Sequence, residues 1–269
     1  MDKLYYGDAL ALGITIHEIK DFLDSFPLLI EEMPIENSEL ATHSSHKLVH
    51  NSKITLMQLI ENFSRDDLIN CITYIVEELK DDHQRYRIYI ELILFDTLNQ
   101  LFGRKKGAGH LIFDVYSALE PLLSDSLHYW LQRAKSIYRI LGYSKNDLKR
   151  AYEYSSKVYF DGWQTIKSKS ALTTALICCR LFEIEDNNAE KSLYLEQAIS
   201  YSYEAIFSDY YRINTNYLNN ELNHGKKSRS SYDQILNLCK IYIDNNISNE
   251  LSRQAQLIID KINYLRSKN

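Results

Sequence analysis

The sequence predicts an all-α protein built of stacked antiparallel helical hairpins. Three observations carry that expectation. Only 8 Gly and 3 Pro occur in 269 residues, too few for the many turns of a β-rich chain. Apolar residues recur at three- and four-residue spacing along most of the chain. Ser and Asp pairs of the helix-capping kind open several of these periodic segments.

Residues 8–32 carry one or two helices, punctuated by Pro27 and Pro34. Residues 35–53 form the most polar interior segment and are expected to be a loop. TLMQLIENF resumes the helical pattern, and Ser64 with Asp67 starts the helix that contains LINCITYIVEEL. The next helix ends at Gly103. After GRKKGAGH comes LIFDVYSALEPLL. Ser124-Asp125 then begins SLHYWLQRAKSIYRILG, with Leu131, Ala134, Tyr138 and Leu141 on one face and Gly142 as the stop. Ser144 and Asp147 start LKRAYEYSSKVYF, which runs to Gly162. TIKSKSALTTALICCRLFEIED is expected to pair with AEKSLYLEQAISYSYEAIFSDYY. After a polar loop, NNELNHGKKSRSS, YDQILNLCKIYIDNN pairs with SNELSRQAQLIIDKINYL. Residues 1–105 form an N-terminal helical segment and 106–269 the hairpin repeats, or the two run on as one domain.

Small residues recur in the second helix of each pair: Ala151, Ala198 and Ala255, 47 and 57 residues apart. Small side chains let neighbouring helices approach closely. Ala198 and Ala205, with Tyr201 and Tyr203 between them, are similar to the second helix of a tetratricopeptide hairpin. Trp130, Ala134, Tyr138 and Gly142 are similar to its first. The pitch is longer than the ~34 residues of that repeat, and uneven. The expected architecture is therefore a degenerate tetratricopeptide-like α-solenoid or an irregular helical bundle.

The bulk numbers narrow the function. A net charge of −5 argues against a dedicated nucleic-acid binder. Cys71, Cys178, Cys179 and Cys239 form no CxxC pair, so buried free thiols in a reducing cytoplasm are expected. MDKLYYGDAL is acidic and polar where a secretory leader is apolar, so no leader is expected. The longest apolar run, IYIELILFDTLNQLF, holds Glu91 and Asp96 and is short for the ~20 residues of a membrane span.

The run HYWLQRAKSIYRI resembles one in the C-terminal helical part of bacterial STAND-type and sirtuin-fused antiphage defence NTPases. There, a helix with a Tyr-Asp-x-Leu-like end precedes a WLQRAK-like run. Here the matching pieces are IFDVYSAL, residues 112–119, and YWLQRAK, residues 129–135. Downstream, LKRAYEY at 148–154 and TTAL at 173–176 continue the likeness, which spans residues 40–210. The resemblance implies a sensor or scaffold region that recognises an effector or foreign protein. No P-loop, sirtuin or nuclease domain of those proteins is expected in this sequence, so such chemistry would belong to another polypeptide or another part.

GRKKGAGH, residues 103–110, is the most chemical-looking stretch. It fails as a P-loop, because its glycines are wrongly spaced and no Lys-Ser/Thr pair follows. It fails as a dinucleotide fingerprint, because Ile112 stands where a third Gly is needed and no strand precedes it. Arg104 and His110 do fit the Arg-x4–6-His spacing of the all-helical HEPN ribonucleases. In that family the His serves as acid or base and the Arg steadies phosphate charge. A metal-independent ribonuclease is thus the alternative to a non-enzymatic protein-binding module. Two other readings stand beside catalysis: a loop that contacts an anion or a partner, through Lys105 and Lys106, or a plain connector.

His43, His46 and His50 would share a helix face, as zinc ligands do. Their segment is polar and lacks a nearby Cys, so solvated surface is expected, with no metal and no cofactor. Tyr numbers 21, and Tyr serves interhelical packing and protein recognition alike. Tyr210, Tyr211 and Tyr217, beside the Asn-rich NTNYLNNELN, are the expected exposed contacts. The expected partner is a protein, with no membrane; self-association stays open.

Overall fold

The computed structural model describes residues 56–58, 60–80, 94–104, 108–141, 144–223, 231–245 and 249–267. The expectations for residues 8–32 and 35–53, with His43, His46 and His50, lie outside them, as do Lys105 and Lys106. Among the described residues the chain is all-α, with no strand. None of its described helices is long and apolar enough to cross a membrane. The chain divides into two compact units, Met1–Asp125 and Ser126–Asn269.

The first unit contains α1 (Arg65–Lys80), α2 (Asp96–Arg104) and α3 (Ala108–Leu123). Ser64 opens α1 as its sequence suggests. Its Oγ accepts from the Asp67 N–H at 3.3 Å and donates to Asp67 Oδ2 at 2.6 Å. Leu68, Cys71, Ile72, Ile75 and Val76 line the buried face of α1. Ile112, Val115, Tyr116 and Leu119 do the same for α3, against which α1 and α2 pack. Arg65 Nε donates to Asp114 Oδ2 at 2.6 Å across the α1–α3 contact. Tyr116 stacks on Phe95 at 6.0 Å between centroids.

The second unit runs α4 (Leu127–Ser136), a π-helical continuation (Ile137–Leu141), α5 (Lys145–Asp161), α6 (Gln164–Ile184), α7 (Asn188–Ile206), α8 (Asp209–Ile213), α9 (Thr215–Asn223), α10 (Ser231–Asp244) and α11 (Glu250–Ser267). Side-chain oxygens cap the helix starts. Ser126, Ser144 and Asn187 accept from the N–H groups of Tyr129, Asp147 and Ala189. Packing is sequential: α4 on α5, α5 on α6, α6 on α7, then α10 on α11.

Helix α6 sits at the centre, touching α4, α5, α7, α8 and α10. Thirteen of its 21 residues are buried. That explains its lack of a polar stripe and its small side chains. Ser170 donates to the Ser155 carbonyl, and Thr174 Oγ1 donates to Ser155 Oγ at 2.9 Å or to the Ser170 carbonyl at 2.9 Å. These short hydroxyls let α5 and α6 lie close while satisfying each other's polar atoms. Cys71, Cys178, Cys179 and Cys239 are free and buried. Burial pushes the Cys178 thiol well above its ordinary pKa, so it stays protonated. Ala151, Ala198 and Ala255 are all buried, on α5, α7 and α11.

Pair contacts set the helix directions. Lys145 meets Glu185 at 2.6 Å while Ser155 meets Thr174, so α5 and α6 are antiparallel. Lys149 meets Glu190 at 3.2 Å and Tyr159 meets Glu204, so α5 and α7 run the same way. The third hairpin departs from this alternation. In the first turn of α10, Gln234 Oε1 accepts from Tyr138 OH at 3.4 Å, at the end where α7 also begins. Arg253, in the first turn of α11, lies within electrostatic reach of Tyr203 in the last turn of α7. Helix α10 thus runs with α7, and α11 returns against it.

The reversal has a local cause. Two short helices, α8 and α9, carry the chain back across the unit before α10 starts. They also account for the longer second interval between the alanines. A polar loop is expected from Asn219 onward, whereas α9 continues to Asn223. Leu218 and Leu222, four residues apart and fully buried, anchor it despite its asparagines. Asn219 is itself buried and accepts from Tyr232 OH.

Candidate functional site

Two helix turns of the second unit lie side by side. Helix α5 passes into α6 through Gly162-Trp163, and α7 passes into α8 through Phe207-Ser208. Gln164 Nε2 donates to Asp209 Oδ2 at 3.2 Å, joining the starts of α6 and α8. The first turn is tight because residue 162 is Gly. A Cβ there would stand 2.5 Å from the Val158 carbonyl oxygen and 2.7 Å from Ile166 Cγ2. So short a turn cannot fold its large neighbours inward.

Those neighbours stay in solvent. Phe160 is 73% exposed and Trp163 59%. At the adjoining turn Phe207 is 40% exposed, and Ile213 at the end of α8 is 76% exposed. One side of Trp163 rests on His128, at 5.6 Å between centroids. Burial, with Lys169 and Lys135 nearby, lowers the His128 pKa to about 4, so the imidazole is neutral at pH 7.

One ring contact joins α5 to α7, and a second lies at the end of α7. Tyr159 meets Tyr201 edge-on at 4.9 Å, and Tyr203 meets Phe207 at 4.8 Å. Tyr159 OH donates to the Glu204 carboxylate. Burial and that carboxylate together raise the phenol's pKa, keeping it a donor. Lysines from this end cover the rings: Lys157 Nζ lies 4.7 Å from the Trp130 centroid, Lys167 4.7 Å from Tyr159 and Lys169 5.1 Å from Tyr210.

Of the residues singled out from sequence, His110 lies on α3 of the first unit and Tyr210 and Tyr211 on α8 of the second. Tyr211 is a correction: it is only 2% exposed, so it is a core residue of α8 and no contact aromatic. Its side chain turns inward because Ser208 caps the short helix and fixes its rotation. Tyr210 is half-buried, set edge-on to Tyr211 at 5.0 Å. The side chain of Tyr217, on α9, lies outside the described residues. His110 is exposed in the first turn of α3, and the side chain of Arg104 lies outside the described residues.

The WLQRAK run is packing. Arg133 is buried, with its guanidinium 4.8 Å from the Tyr154 ring, 5.5 Å from Trp130 and 5.9 Å from Tyr129. Its Nη1 donates to Tyr129 OH at 3.1 Å. The run therefore cements α4 to α5. The exposed set, Phe160, Trp163, Phe207 and Ile213, escaped the sequence reading. Its one sequence signal is FDGW, two aromatic residues flanking a glycine turn.

The chain has no significant match among protein-family models, curated proteins or solved structures.

Proposed function

We propose that this chain is a non-enzymatic, tetratricopeptide-like helical module that binds another protein at the aromatic end of its second unit. One observation carries the reading: Phe160 and Trp163 at one turn and Phe207 at the turn hydrogen-bonded to it stand out in solvent, as does Ile213 at the end of α8. Large apolar side chains gathered on a surface commonly mark a contact site. Trp is also among the residues that dominate binding energy at protein interfaces. The sequential antiparallel hairpins α4–α5 and α6–α7 support the tetratricopeptide likeness, and the direction of α10 limits it to those two. By its resemblance to the helical region of defence NTPases, the module would serve in a bacterial cytoplasm, sensing an effector or a foreign protein.

The test pairs capture with catalysis. Wild-type protein and a Phe160→Ser, Trp163→Ser double variant are cross-linked in host lysate with and without phage infection. A specific protein retained by the wild type and lost from the variant is expected. In parallel, purified protein is incubated with total RNA beside Arg104→Ala and His110→Ala. Cleavage abolished by both substitutions would overturn the non-enzymatic reading in favour of the HEPN-like ribonuclease.

A further inference from the structure

We draw no further inference here: the strongest candidate, the exposed turn between α5 and α6 that carries Phe160 and Trp163, belongs to the surface already described, and nothing in the structure shows what covers it.

Discussion

Glu185 closes the α6–α7 connection with one side chain. Its Oε1 accepts from Lys145 Nζ at 2.6 Å and from the N–H groups of Asp186 and Asn187, each at 3.1 Å. The Lys145 hydrogen bond, then the backbone donors, hold its pKa at about 2. A carboxyl held low in the folded state adds stability above its unfolded value. That stability is lost as pH falls through the folded value. Glu185→Gln should lower the melting temperature at pH 7, and the gap should close between about pH 4.5 and 2. Thermal scans by circular dichroism across that window check it. His128 works in a neighbouring window with the same sign. Its folded pKa of about 4 lies below the ordinary 6.5, so the unfolded chain binds the extra proton as pH falls. Stability should decline from pH 6.5 towards 4, and His128→Gln should flatten that part of the urea-midpoint profile. A gap for Glu185→Gln that is constant with pH, or an unchanged profile for His128→Gln, would contradict these assignments.

Helices and their starts were the most legible elements, because their signals are local. Ser64 with Asp67 and Ser144 with Asp147 read directly as caps, and both make the expected hydrogen bonds. The start of α4 lies slightly further on, at Ser126, because Ser124 and Asp125 form the preceding turn. Helix α9 was hidden by its asparagines, since only Leu218 and Leu222 reveal a buried face and both depend on tertiary partners. The exposed aromatic end was hidden for a related reason. Spacing marks a residue as apolar, but not whether a neighbouring helix arrives to cover it. Gly162 is the element-scale lever on that end. Gly162→Ala should destabilise the protein by about 1–3 kcal/mol, because the added methyl meets a backbone oxygen that cannot swing aside. Urea unfolding measures this directly, and a neutral result would mean that α5 and α6 can part at the turn.

At the scale of the whole molecule, the all-α class, the pairing of α4 with α5, α6 with α7 and α10 with α11, and the buried alanine of each second helix were readable from periodicity. The direction of the third hairpin was not. The uneven alanine intervals did register that something intervenes, yet no local pattern says where a chain will re-enter after two short helices. The contact that records this re-entry, Tyr138 with Gln234, joins residues 96 apart. Local hairpins close over connections of a few residues, whereas a loop this long loses more chain entropy on closing. Such distant pairings slow folding. The chain is therefore expected to assemble in sequence order as it is synthesised. Helices α4 to α7 zip together first, and α10 must await a surface that only those helices, already in place, can offer.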